Sequence, residues 1–353
     1  MKPQTATLLI LMTGLWTYSL RGADGPTPGV ATSGAALGKV GEQTRLGADR
    51  LRKQGQPAEA ERLLLKFVEL HADEAPGHVL AYIYNDLGTL NQEQHQVARA
   101  YRYYKQSIAD WERSGERFSL HAATTMNNLA TLLWDDGRLA ESHQTLVRSA
   151  GLIERFAGPA SPALIQLHYN LGNVRMTLNR HQEAEESYRK FLAIANPKAG
   201  RNHVLQTILV TNDLGLLTHK ESRTAETGSY FGQSQRSWAQ FREGLQAGGG
   251  EQRDLDPSLL LNLAQSFWKS GATGQAAEVT EVLLSLVESR AGVGYPRLSH
   301  VLSLQAMILR RLHRKPEAKA AEQRARQALE AEGPALAGRV DLGALQAVGF
   351  QRR

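Results

Sequence analysis

The sequence contains no cysteine. That one absence excludes disulfide staples, thiolate zinc sites, cysteine nucleophiles and a lipidated N-terminal cysteine. Aromatic residues are sparse, at 7%. Neither sign of charge dominates: 41 Lys and Arg stand against 35 Asp and Glu, a formal net charge of +6. Spread over 353 residues, this is milder than the clustered basic face of a dedicated nucleic-acid binder, so no nucleic-acid partner is expected. Past the N-terminus, no apolar stretch approaches the length of a membrane span.

The motifs that carry chemistry are also missing. There is no G-x-x-x-x-G-K-[ST], no G-x-G-x-x-G and no H-E-x-x-H. Ser266-Phe-Trp-Lys269 and Ser187-Tyr-Arg-Lys190 both match S-x-x-K, but neither is followed by S-D-N or K-T-G. His71 and His78 bracket an Asp-Glu pair that reads as an exposed polar linker rather than a metal site. The expectation is therefore no catalytic residue, no metal and no cofactor.

The length allows two or three globular domains or one elongated array. Apolar residues make up 42% and charged residues 22%, enough to bury a core, and plentiful Ala, Leu, Gln, Arg and Glu favour helix. Lys2 followed by the apolar stretch Ala6 to Leu20 has the layout of a secretory signal, assigned to residues 1–23. A Gly-, Ala-, Pro- and Ser-rich segment, residues 24–42, reads as a flexible linker. Such a chain is expected beyond the inner membrane, periplasmic or secreted, with no stable membrane anchor after cleavage.

From Leu46 onward one phrase recurs. A small residue stands at Ala48, Gly88, Ala130, Gly172, Gly215, Ala264 and Ala306. Seven positions later comes a turn residue: Gly55, His95, Gly137, Asn179, Ser222, Gly271 and His313. Five later is another small or short one: Ala60, Ala100, Ser142, Ala184, Thr227, Ala276 and Ala318. Successive members of the first column lie 40, 42, 42, 43, 49 and 42 residues apart. A fixed period of this size predicts stacked supersecondary units that share one core. Each unit reads as two amphipathic helices, for example Ser119 to Trp134 and Leu139 to Phe156, joined by a tight turn.

The stretches MNNLATLLWDDGRLAES (Met126 to Ser142) and YNLGNVRMTLNRHQEAEESYRKFLAI (Tyr169 to Ile194) resemble the tetratricopeptide repeat, in the longer form found in kinesin light chains. The resemblance covers residues 43–331 and leaves a tail, 332–353. It implies an all-α fold, a right-handed solenoid of about seven helical hairpins. The long step contains a Gly-rich run, and residues 244–256 are either a softened joint between two blocks or a surface insertion. The family implies a protein-binding scaffold, with a protein or peptide segment held on its concave side. Self-assembly of array faces is the other reading, and the oligomeric state is left open.

Two and three residues before the small position stand Asn85 and Asp86, Asn127 and Asn128, Asn170, Asn212 and Asp213, and Asn262. In the family this face lines the concave groove, and an amide, being both donor and acceptor, suits an extended peptide backbone. The same amides serve equally well to bond neighbouring helices and hold the stack. Trp134 and Trp268, four residues after the small position, are either partner anchors or packing between repeats. Lys269, next to Trp268, belongs to a column that turns more basic toward the C-terminal half and favours an acidic segment.

Overall fold

The computed structural model describes residues 31–196, 200–247, 254–289 and 298–332. Among these the chain is all-α, fourteen α-helices and no strand, arranged as seven antiparallel pairs. The helices fall into two compact units divided between Ile194 and Ala195. The first holds α1 (Ala31–Lys53), α2 (Pro57–His71), α3 (Gly77–Glu93), α4 (Val97–Arg113), α5 (Ser119–Asp135), α6 (Leu139–Ala157), α7 (Leu164–Thr177) and α8 (His181–Ile194). The second holds α9 (Arg201–Lys220), α10 (Thr224–Ala247), α11 (Pro257–Lys269), α12 (Thr273–Ser289), α13 (Leu298–Arg311) and α14 (Lys315–Glu332).

Each column of the sequence phrase has its own physical cause. All seven turn residues, glycine or not, adopt left-handed backbone, from φ +57° at Asn179 to φ +80° at Gly271. For a residue with a Cβ this costs about 1–2 kcal/mol. The turn offsets the cost by satisfying carbonyls that the helix end leaves open. Gln96 N donates to Asn91 O, Arg138 N to Leu133 O and Arg180 N to Arg175 O, each at 2.8 Å. This bond, reaching back five residues, closes the left-handed end of a helix and starts its partner.

The first small column lets a side chain of the second helix lie flat on the first helix's backbone. A Cβ on Gly88 would stand 2.6 Å from the Tyr104 ring, on Gly172 2.2 Å from Tyr188, and on Gly215 2.5 Å from Phe231. Where the small residue is alanine, the residue at the same spacing is Leu64, Leu146, Thr280 or Glu322. Glycine goes with an aromatic ring, alanine with a narrower side chain. The second small column is buried in every pair, from Ala60 to Ala318. Ser107, Ser149 and Ser234 add a device that the sequence reading did not include. Each buried hydroxyl donates to a carbonyl 26 residues earlier, on the partner helix: Ala81, Ala123 and Ile208.

The signal segment 1–23 and the tail beyond Glu332 lie outside the described residues. The flexible linker is corrected over 31–42, which are helical as the start of α1. Glycine there serves packing: a Cβ on Gly41 would come 2.5 Å from Val79 and 3.3 Å from Phe67. Of the segment 244–256, residues 248–253 lie outside the described residues; the two compact units divide at Ile194, and α9 packs directly against α11. Asn202 ties the two sides, donating to Asp254 O and accepting from Asp256 N.

Candidate functional site

The first helices of the pairs carry the expected polar columns, and in the first unit these columns bond to one another. Asn128 Nδ2 donates to Asn85 Oδ1 at 3.1 Å, and Asn170 Nδ2 to Asn127 Oδ1 at 2.8 Å. Arg45 occupies the corresponding place in the first pair, and its guanidinium holds both oxygens of Asp86, at 2.6 and 3.3 Å. One rule covers all three rungs. The residue two before the small position meets the residue three before it in the preceding pair. A second row of rungs runs at the helix ends, where Arg52 donates to Glu93 at 2.8 Å and Gln92 to Asp135 at 3.5 Å. Arg52 also holds Asp49, which in turn pairs with Lys53.

The second unit departs from the rule. Asn262 is the residue that should meet Asn212, but Asn212 Nδ2 instead donates to Ser266 Oγ at 2.8 Å. Ser266 lies four residues further along α11, so α11 sits one helical turn out of the ladder register. Asn262 Nδ2 is buried with no hydrogen-bond partner among the described residues. Ser266 Oγ donates to Asp213 Oδ1 at 2.5 Å. Burial pushes the Asp213 carboxyl up to about 6, against the pull of Ser266 and Lys269. Lys269 moves the other way, lowered first by desolvation and also by neighbouring Lys220, although Asp213 opposes this. Lys269 itself is exposed.

Exposure sorts the predicted site residues further. Asn85, Asp86, Asn127, Asn128 and Asp213 are half-buried. Asn170, Asn212 and Asn262 are buried, so these three do not line an open surface. Trp134 is corrected from partner anchor to core residue: its ring is 5% exposed. Trp268 stays half-buried, with the Arg311 guanidinium 5.1 Å above its ring centre. The S-x-x-K serine Ser266 is held between Asn212 and Asp213 as a bonding group between helices.

The sequence reading missed an aromatic cluster at the start of α3 and α5. Trp111 stacks on His121, His78 stacks on Phe118, and the Tyr82 hydroxyl is hydrogen bonded to the His121 ring at 3.1 Å. Arg45 caps it, 4.3 Å from the Tyr82 ring centre. Among the described residues no three His, Asp or Glu side chains come together as metal ligands. No described helix is long and apolar enough to cross a membrane.

Comparison with known proteins agrees with this geometry. Residues 79–154 and, overlapping them, 121–196 match the tetratricopeptide repeat family. The structure of apo RapI superposes over 82% of this chain and 99% of its own, with TM-score 0.58 at 10% identity. BtubC (BKLC) from P. vanneervenii superposes over 59% of this chain and 83% of its own, with TM-score 0.53 at 18% identity. Kinesin light chain TPR-like repeats from Podosopora anserina cover 59% and 98%, with TM-score 0.49 at 18% identity. At these identities the superpositions on apo RapI and BtubC establish the fold and nothing finer. No curated protein matches the sequence. Residues 79–196 thus carry tetratricopeptide repeats, and the described residues form an all-α helical-repeat fold.

Proposed function

We propose that this protein is an exported, non-catalytic scaffold that holds a peptide or protein segment on the face made by its first helices. The observation that carries the reading is the polar ladder itself. Each amide has two donor hydrogens and two acceptor lone pairs. The rung bonds of Asn85, Asn127 and Asn128 use only part of that capacity and leave the side chains half-buried at the surface of the stack. An extended segment crossing α3 and α5 would meet Asn85 on the one and Asn127 and Asn128 on the other.

The test is binding of a synthetic peptide library to the purified protein and to the Asn85→Ala, Asn127→Ala, Asn128→Ala triple variant. Loss of binding at least tenfold, with an unchanged far-UV circular dichroism spectrum, is the expected result. Unchanged binding would remove the ladder from the site. Export is proposed on the N-terminal layout alone. A native N-terminus near Leu20 to Gly25 supports it, and an intact Met1 in a cytosolic fraction refutes it.

A further inference from the structure

The ladder has an open end. In each later pair of the first unit the residue two before the small position bonds to the pair before it: Asp86 with Arg45, Asn128 with Asn85 and Asn170 with Asn127. In the first pair that residue is Leu46, and it is 57% exposed. The second helices repeat the pattern. Tyr103, three residues after the second small position, packs against the core of the first pair, and Leu152, ten after it, packs against the cluster that holds Trp111. Their counterparts in α2 are Leu63 and Leu70. Leu63 is half-buried and Leu70 is 60% exposed. Three leucines thus stand where later pairs touch the pair before, and among the described residues no helix precedes α1.

A single exposed leucine is ordinary. These are set apart by the charges around Leu46. Glu42, Leu46 and Arg50 follow one another at intervals of four along α1, so they share one stripe of the helix, and all three are exposed. Arg50 Nε rests on the Leu46 carbonyl at 3.4 Å. Arg45, Asp49, Arg52 and Lys53 of the same helix all form ion pairs, whereas Glu42 and Arg50 form none among the described residues. The stripe carries an acid four residues before the leucine and a base four residues after it. A helix so marked is complementary to a copy of itself running the other way.

We propose that the end face made by α1 and α2 docks on the same face of a second copy, with α1 antiparallel to its counterpart about a two-fold axis at Leu46. Glu42 of each copy then meets Arg50 of the other, and Leu46 meets Leu46. A Cβ on Gly47 would stand 3.1 Å from Leu63, so Leu63 is level with Leu46 and the same axis brings the two copies of Leu63 together. Lys39 falls opposite Lys53, but at the rim and with Lys53 already paired to Asp49. A two-fold contact closes on itself, so the product is a dimer and not a filament. Two helices a side make a small interface, and the dissociation constant is expected on the order of 10 µM. The inference does not depend on peptide binding.

Sedimentation velocity of the full chain from about 1 to about 100 µM reads the mass, which should rise from one chain to two. Glu42→Arg sets two arginines face to face and Arg50→Glu two glutamates, and each should weaken association about fivefold. The Glu42→Arg, Arg50→Glu double variant restores both contacts with the signs exchanged and should return to within about twofold of the unaltered chain. Poor folding of the single variants would not produce that recovery. Because the chain has no cysteine, Leu46→Cys gives one thiol per copy. In a glutathione redox buffer it should form a covalent dimer, while Val147→Cys, on a leucine-sized gap in α6 that is 45% exposed, should form none. A mass of one chain at every concentration, with no cross-link through Leu46→Cys, overturns the dimer; if that thiol is also closed to small thiol reagents, residues 1–30 cover the face instead. A dimer indifferent to both single variants overturns this face as the contact. A double variant no better than the singles overturns the antiparallel register about Leu46.

Discussion

The first eight helices and the last six are built from the same repeat, yet they treat polar side chains between repeats differently. In residues 31–194 every rung of the ladder joins oppositely charged or amide partners 41 or 43 residues apart, at one constant register. In residues 200–332 the register between α9 and α11 has moved by a turn. The half-buried Asp213 carboxylate accepts from a serine, a buried amide donor goes unused, and the helix-end cations Lys220, Lys269 and Arg311 make no ion pair among the described residues. Apolar columns alone fix the hairpin, since both units share them. Polar columns then decide whether a surface is closed on itself or left with charge to offer.

Changes at the shared columns should have the largest effect. Gly172→Leu forces a side chain into the Tyr188 ring and should cost about 3 kcal/mol in urea unfolding. Gly172→Ala with Tyr188→Leu copies the Ala130 and Leu146 combination and should recover most of the loss that Gly172→Ala causes alone. If the double variant is no better than the single, the size pairing is incidental.

The titrating groups should pull the two units in opposite directions. Asp213 is raised to about 6 in the fold from an ordinary 3.8. Its contribution is therefore complete below about pH 4 and lost as pH rises through 6. Asp213→Asn should add about 2 kcal/mol at about pH 8 and little at about pH 4. His168, buried and near Lys190 and Arg175, is lowered to about 4 from 6.5. Its contribution is complete above about pH 6.5 and lost as pH falls toward 4, so His168→Gln should flatten the acid side of the stability profile. Comparing each variant with its parent cancels His143 and His203, which burial also lowers.

Smaller effects separate the two kinds of rung. Asn170→Ala removes a buried donor and leaves Asn127 short of a partner, a loss of about 1–1.5 kcal/mol. Asn262→Ala should cost less, because the Nδ2 it deletes has no partner among the described residues. Equal losses would contradict the register shift. Smallest is Arg52→Ala, which opens a solvated ion pair with Glu93 and should change unfolding by about 0.5 kcal/mol, less at high salt.

Much of the fold was legible because backbone geometry acts locally. The turn column named seven residues, four of them not glycine, and all seven are left-handed. The helices expected at Ser119 to Trp134 and Leu139 to Phe156 are found at Ser119–Asp135 and Leu139–Ala157. The helix over 31–42 was hidden because glycine reads as flexibility until its contact with Val79 is known. The site was less legible. Which amide meets which depends on the axial register of helices 40 to 50 residues apart, and a four-residue shift exchanges Asn262 for Ser266 without altering any column. The serine struts and the glycine–aromatic pairs were recoverable, since their spacings of 26 and 16 residues recur, but they join the two helices of a pair rather than one repeat to the next.

Hydrogen–deuterium exchange of the full chain with and without a saturating peptide selected from the library tests the central claim most directly. Protection concentrated in the first helices, strongest in α3 and α5 around Asn85, Asn127 and Asn128, is the predicted result. Protection confined to the second helices α4 and α6 would contradict the account.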